Sequence, residues 1–189
     1  QLYYYGRDFL LENSYEQVTM RLFRHQNAPS EANLPPYNSP EDGMVGLGVG
    51  ARSYTKAFHY SSDYAVGRRG VRAIIHDYHE QKTFDQAHYG VVLHAEEQRR
   101  RYVIKSLLEG GYLDFAAYRR YFGSAALDDL PELYELYDLK LAVPNSERLQ
   151  LNLEGLACSD VIGPWLYSSA VQAAMAAGVD GPLPTPLRR

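Results

Sequence analysis

MVGLGVGARSY, residues 44–54, alternates glycine with apolar residues and ends in Ala-Arg-Ser-Tyr. Successive side chains of an extended strand point to opposite faces, so Gly46, Gly48 and Gly50 would share a face without side chains. Such a face lets another group approach the backbone closely. Two interpretations follow: either a neighbouring helix packs against the glycines, or a flat or bulky ligand lies there.

The composition of the 189 residues is typical of a folded soluble protein, with 46% hydrophobic and 22% charged residues. A formal net charge of −4 gives no overall basic field for nucleic acid or an acidic membrane surface. No apolar run reaches membrane-spanning length. The single cysteine, Cys158, excludes a disulfide framework or a cysteine-held metal centre within this chain. We therefore expect a cytoplasmic protein without a nucleic-acid or membrane partner.

The first half of the chain mixes helix and strand patterns. Residues 2–10 have helical spacing, and Tyr15 to Phe23 alternate as in a strand. Residues 26–42 contain four prolines among polar residues, which predicts a long surface loop before the glycine strand. Further extended structure is expected over 52–62, and Val71, Ile74, Ile75 and Tyr78 predict an amphipathic helix.

Short helices follow one another after Leu93, and we place a domain boundary there. The predicted elements are helices over 95–109, 114–123 and 127–139, a hairpin of 141–143 and 149–153, and a helix over 154–167 interrupted at Gly163 and Pro164. Three helices followed by a hairpin form a winged-helix-like arrangement. The tail, residues 178–189, is expected to be loose.

Three segments occur in an order and at intervals that resemble a known family: SYEQVTMRLF (14–23), MVGLGVGARSY (44–54) and EEQRRRYVIKSLL (96–108). They are similar to the C-terminal half of oxygen-independent coproporphyrinogen III oxidase and its radical S-adenosylmethionine (SAM) relatives, including the heme chaperone. The resemblance implies an α/β plus α+β protein. Residues 1–92 would be the terminal part of an open β/α radical-SAM barrel, and residues 93–177 a winged-helix-like accessory domain.

The resemblance also implies where a cofactor would lie. In the family the equivalent strand borders the cofactor and substrate cavity, which makes Gly48, Gly50, Ala51 and Arg52 candidates for binding SAM. The family's Cys-x-x-x-Cys-x-x-Cys motif, which holds a 4Fe-4S cluster, is absent. We therefore expect a fragment that is inert alone, with no catalytic or metal-ligating residue. A missing N-terminal half would complete a radical SAM oxidoreductase.

Arginines near the glycine strand suit a small-molecule substrate with carboxylates, such as a porphyrinogen. Arg52, Arg68 and Arg69 are the candidates, because a guanidinium group forms forked hydrogen bonds with a carboxylate. A solvated surface position is the alternative for these side chains. Relatives commonly place histidine or an aliphatic residue at the position of Arg52, so a different substrate is also open.

Two further functions remain as alternatives. One is heme binding or heme transfer, as in the chaperone relatives, with six histidines as possible ligands: His25, His59, His76, His79, His88 and His94. The other is an interaction module built on the winged-helix-like domain. DNA binding by that domain is disfavoured because its third helix carries carboxylates that would repel phosphates, namely Asp128, Asp129, Glu132, Glu135 and Asp138.

Overall fold

The computed structural model describes residues 1–29, 40–61, 65, 67–85 and 89–180. It is a mixed α/β structure with three small antiparallel sheets in this part of the chain. In chain order the elements are α1 (Leu2–Glu12), β1 (Tyr15–Gln17), β2 (Phe23–His25), β3 (Arg52–Tyr54), β4 (Phe58–Ser61), α2 (Arg68–Glu80), β5 (Tyr89–Val92), α3 (Ala95–Gly110), β6 (Tyr112–Asp114), α4 (Phe115–Phe122), α5 (Ala126–Asp129), a 3₁₀ helix (Pro131–Leu133), α6 (Tyr134–Asp138), β7 (Ala142–Val143), β8 (Arg148–Leu151), α7 (Leu153–Ala157), α8 (Ser159–Trp165) and α9 (Ser169–Asp180).

The chain forms two compact units that do not follow sequence order. The first unit comprises residues 1–40 and 99–167, and the second comprises residues 41–98 and 168–189. These units differ from the ranges 1–92 and 93–177, whose assignment to a barrel part and an accessory domain stays a prediction.

Ion pairs join the N-terminal segment to the C-terminal helices of the first unit. Arg7 Nη1 lies 3.2 Å from Glu154 Oε1, and Arg21 Nη2 lies 2.6 Å from Asp160 Oδ2. The Arg21 pair is exposed, so its own contribution to stability is small. Sequence periodicity reports only local structure, which is why it gave no sign of this grouping.

The predicted strand over residues 15–23 is wrong, because the chain reverses within it. Val18 N donates to Leu22 O at 2.9 Å, and the turn separates β1 from β2. The two short strands pair antiparallel, with Tyr15 opposite His25. The apolar residues of the predicted alternation, Val18, Met20 and Leu22, lie in the turn, and Leu22 is 54% exposed.

Two predicted helices are also broken. The helix expected over 127–139 is divided at Pro131, because the residue before a proline is disfavoured in helical conformation; Leu130 has φ −135° and ψ 73°. The helix expected over 154–167 breaks at Cys158, between α7 and α8, and Pro164 lies inside α8. The remaining predicted helices and the β7–β8 hairpin are present, and β6 adds a third strand in the order β6-β8-β7.

The buried hydrophobic side chains that the structure describes all belong to the first unit. They are Tyr102, Val103, Leu107, Leu113, Tyr118, Ala126, Leu130, Leu133, Leu136, Ala142, Leu149, Leu151, Leu156, Ile162 and Leu166. Full burial of one such Leu or Ile stabilises the fold by about 1.5–3 kcal/mol. In the second unit, the buried residues that the structure describes are two serines, Ser53 and Ser168. The first unit thus has its own hydrophobic core.

The second unit contains a sheet of order β3-β4-β5, with Arg52 opposite Ser61 and Phe58 opposite Val92. The predicted extended structure over 52–62 and the helix of Val71 to Tyr78 are both present as β3, β4 and α2. Residues 178–180 of the tail expected to be loose belong to α9. Residues 181–189, and 30–39 of the predicted long loop, lie outside the described part of the chain. None of the described helices has the length and apolar character needed to cross a membrane.

One carboxylate links three segments of the first unit. Asp129 Oδ2 accepts hydrogen bonds from Arg99 Nε at 3.1 Å, from the Tyr118 hydroxyl at 2.9 Å and from the Ser124 hydroxyl. We call these four residues the Asp129 cluster. Burial by itself would raise the pKa of Asp129, but the hydrogen bonds from Ser124 and Tyr118 and the charge of Arg99 hold it below its ordinary value of 3.8.

Replacing Asp129 by asparagine should lower the free energy of unfolding by about 1–3 kcal/mol, since the charged acceptor of three donors is lost. The pKa of Asp129 is depressed in the folded protein, so its contribution is present above the unfolded-state pKa. That contribution is lost as pH falls from about 3.8 through the lower folded value. Urea denaturation at neutral and acidic pH measures both effects.

Asp128→Asn is the matched control, because Asp128 is exposed and lies next to Asp129 on α5. We expect D128N to unfold like the wild type at neutral pH, and D129N to lose part of the acid sensitivity. Equal stabilities of D128N and D129N would contradict the role given to the Asp129 cluster.

Candidate functional site

The glycine segment is not the continuous strand that its alternation predicts. Met44 forms an isolated bridge with Tyr54, and regular strand structure begins only at Arg52. Between them the chain turns, with φ +103° at Gly48 and φ +74° at Gly50. Glycine adopts positive φ without the steric penalty of a Cβ atom, so these residues bend the backbone. The predicted shared bare face is therefore wrong, and residues 45–51 form a loop, here called the glycine loop.

The three glycines have different surroundings. A Cβ atom on Gly46 would lie 2.5 Å from the carbonyl oxygen of Arg52, so the backbone at this point packs directly against β3. Gly48 and Gly50 have no atom within 4 Å of a built Cβ position. Gly46 is therefore closely packed, but against strand β3 and not against the expected helix, whereas Gly48 and Gly50 leave space beside the loop.

A buried serine holds the glycine loop to β3. Ser53 is 3% exposed, and its hydroxyl oxygen accepts a hydrogen bond from Gly46 N at 2.9 Å. Met44 and Tyr54 exchange two backbone hydrogen bonds of 2.8 Å next to it. Ser53 was not among the predicted site residues. Its only signal in the sequence is a small hydroxyl side chain soon after the glycines.

A cleft of about 940 Å³ lies beside the glycine loop, within the second unit. This volume lies within the usual range for small-molecule sites, roughly 300–1,000 Å³. Its walls come from the glycine loop, the sheet, one side of α2 and the segment after α2. The lining residues are Val45, Gly46, Leu47, Gly48, Val49, Ala51, Ser53, Tyr60, Ser61, Ile74, Asp77, Tyr78, Glu80, Gln81, Thr83, Phe84 and Asp85.

The structure brings only part of the predicted cofactor set to the cleft. Gly48 and Ala51 line it, whereas Gly50 and Arg52 are not among its lining residues. Gly50 lies in the turn of the glycine loop, and the Arg52 side chain is exposed.

The predicted substrate arginines are not gathered at the cleft. Arg68 and Arg69 are exposed in the first turn of α2 and do not line it. Charged residues that do line it, within the described part of the chain, are the acids Asp77, Glu80 and Asp85. The cleft is therefore acidic. The three acids are close in the sequence, but only the folded chain places them beside the glycine loop.

The histidines form no recognisable metal centre in the described part of the chain. No group of three or more His, Cys, Asp or Glu side chains is placed there to hold a metal ion. His79 Nδ1 lies 3.4 Å from Glu80 Oε1, and both side chains are largely exposed. The predicted ligand His88 lies outside the described residues.

The chain shares its fold with part of a known enzyme. A solved structure with a similar fold is that of coproporphyrinogen III oxidase (HemN) from Escherichia coli, described as a radical SAM enzyme. Its TM-score to this chain is 0.60, at 18% sequence identity. The match covers 86% of this chain and 39% of that enzyme. No protein-family model and no curated protein matches the sequence. The likeness therefore establishes a distant HemN-like fold over a partial length.

Replacing Ser53 by alanine should loosen the glycine loop, because Gly46 N would lose its hydrogen-bond acceptor. We expect protection of the Gly46 amide from hydrogen exchange to fall by roughly tenfold, equivalent to about 1.4 kcal/mol. NMR-detected exchange measures this directly. Ser61→Ala is the control, since Ser61 also lines the cleft and lies in the neighbouring strand β4. Similar exchange at Gly46 in both variants would argue against the Ser53 contact.

Proposed function

We propose that this chain forms the cofactor- and substrate-facing wall and the cap of a radical SAM oxidoreductase resembling coproporphyrinogen III oxidase. The observation that carries the proposal is the cleft beside the glycine loop in a chain whose fold matches part of HemN. The cleft occurs next to the segment that the sequence resemblance assigned to the cavity. A chain that spans 39% of the enzyme's length would supply one part of the site.

The finer description of the fold belongs to the same proposal. The terminal part of an open β/α barrel stays the proposal for residues 1–92, but β3, β4 and β5 pair antiparallel, unlike the parallel strands of such a barrel. In the first unit, α3, β6 and α4 are followed by the helix broken at Pro131, which consists of α5, the 3₁₀ helix and α6, and then by β7 and β8. This order supports a winged-helix-like accessory domain. The broken helix carries five acidic residues over 128–138, which argues against contact with nucleic acid.

The residues of this chain fit SAM but do not fit a 4Fe-4S cluster. An iron–sulfur cluster needs several thiolates, and the chain has one cysteine, so a 4Fe-4S cluster does not fit here. SAM fits better, because its sulfonium and ammonium groups outweigh its single carboxylate, and the acidic side chains of Asp77 and Asp85 suit this net positive charge. Because Gly48 has no side chain, SAM could approach the backbone closely there. When bound, SAM supplies the radical chemistry, and this chain's residues hold it and exclude water.

The proposal includes a partner, namely a polypeptide segment that carries the 4Fe-4S cluster. The second unit exposes large apolar side chains near the cleft, including Val45 (71%), Leu47 (90%) and Phe84 (62%). Exposed apolar residues in one region suit packing against further protein. We propose that this surface meets the cluster-bearing half, and that the isolated chain is catalytically inert.

The substrate proposal remains a small molecule, with a porphyrinogen as one candidate. Carboxylate clamps at Arg52, Arg68 and Arg69 would have to act from outside the cleft, since none of them lines it. Heme transfer gains no specific support from the described histidines. The single cysteine is consistent with a cytoplasmic location, which we retain as part of the proposal.

Titration of the ¹⁵N-labelled chain with SAM should shift amide resonances of the glycine loop and of residues 74–85. Ile74→Trp should weaken binding at least tenfold, because Ile74 lines the cleft and an indole would fill part of it. Ile75→Trp is the matched control, since Ile75 is 50% exposed and does not line the cleft. Equal affinities of the two variants, or no shifts at millimolar SAM, would contradict cofactor binding in this cleft.

Catalysis is tested by restoring the cluster-bearing half. Its anaerobic reconstitution with this chain and reduction by dithionite should give 5′-deoxyadenosine. The chain alone should give none. Absence of this product from the complete protein would refute the enzymatic proposal.

A further inference from the structure

A second hollow, of about 740 Å³, lies within the first unit and shares no residue with the cleft. It is formed by one side of α4, the start of α5, α6 and the turn between β7 and β8. Its lining residues are Phe115, Arg119, Ala125, Ala126, Leu127, Tyr137, Pro144, Asn145 and Ser146. The volume is again in the range of small-molecule sites.

The floor and walls of the hollow are apolar and supported by the core. Ala126 is 1% exposed, and Phe115, Leu127 and Tyr137 pack against the buried cluster of the first unit. Phe115 N donates to Glu147 O at 3.0 Å, which ties the start of α4 to the β7–β8 turn. These walls are held by the fold before any ligand binds, which reduces the ordering cost of binding.

The rim supplies hydrogen-bond donors. Arg119 lies one helical turn after Phe115, on the same side of α4, and its side chain is exposed. It makes no ion pair with any residue that the structure describes. Asn145 Oδ1 accepts from Glu147 N at 2.7 Å, which leaves the Asn145 amide N–H₂ group as a donor. No carboxylate is among the lining residues.

We propose that this hollow binds a small amphipathic carboxylate. Its apolar body would lie against Phe115, Leu127 and Tyr137, and its carboxylate would accept hydrogen bonds from Arg119. We infer a negatively charged ligand because the lining residues include one cation, Arg119, and no acid. A guanidinium group matches a carboxylate in shape and pairs with it more strongly than with a neutral acceptor. One arginine suits a ligand with a single negative charge.

The test uses three naphthalene probes that differ only in charge: 2-naphthoate, neutral 2-naphthalenemethanol and cationic 2-naphthylmethylamine. Each is titrated into the full ¹⁵N-labelled chain and followed by NMR. 2-Naphthoate should bind the tightest and shift amides of residues 115–127 and 137–146. Arg119→Gln should raise its dissociation constant about tenfold and leave that of 2-naphthalenemethanol unchanged.

Arg120→Gln is the matched control, because Arg120 is the next residue of α4, is exposed and does not line the hollow. It should bind all three probes like the wild type. Both arginines are on the surface, so the wild-type spectrum should persist in both variants. The proposal is overturned if the probes bind alike, if R119Q and R120Q weaken 2-naphthoate equally, or if saturable shifts are absent or lie elsewhere.

Discussion

The ionised carboxylate of Asp129 is the contact on which the packing of the first unit depends. Its side chain is 20% exposed, so much of its hydration must be replaced by hydrogen bonds from the protein. Arg99 of α3, Tyr118 of α4 and Ser124 before α5 provide them, which fixes three segments at one point. The ring of Tyr118 then packs edge-on against Tyr102, with centroids 5.5 Å apart. The hydrogen bonds to Asp129 and the ring contact of Tyr118 thus stabilise the same arrangement of α3, α4 and α5.

The second unit is held together in a different way. Its described residues bury no large apolar side chain, and its sheet and glycine loop depend on backbone hydrogen bonds and the Ser53 contact. Large apolar side chains such as Leu47 and Phe84 are exposed around the cleft. Among its described residues, this unit therefore lacks the apolar core that the first unit has.

The two cavities differ in charge and hence in chemistry. The cleft beside the glycine loop has acidic lining residues such as Asp77 and Asp85, whereas the hollow of the first unit has Arg119 and no acid. Cationic groups are favoured in the first and anionic groups in the second. Because Asp77, Asp85 and Arg119 are exposed, water and salt weaken these preferences.

The sequence by itself determined the helices with a local signal, namely the apolar periodicity of α2, the acidic first turn and closing glycines of α3, and the Asp114 cap of α4. It also pointed to residues 44–54 as unusual and to a HemN-like fold over part of its length. Tertiary structure decided the rest. Positive φ at Gly48 and Gly50 turns the glycine segment into a loop, and the Ser53 hydroxyl holds this loop to β3. The acidic residues of α2 and of the segment after it lie beside the loop because they line the same cleft. None of these contacts recurs at a fixed sequence spacing, so periodicity could not reveal them and only the folded chain does.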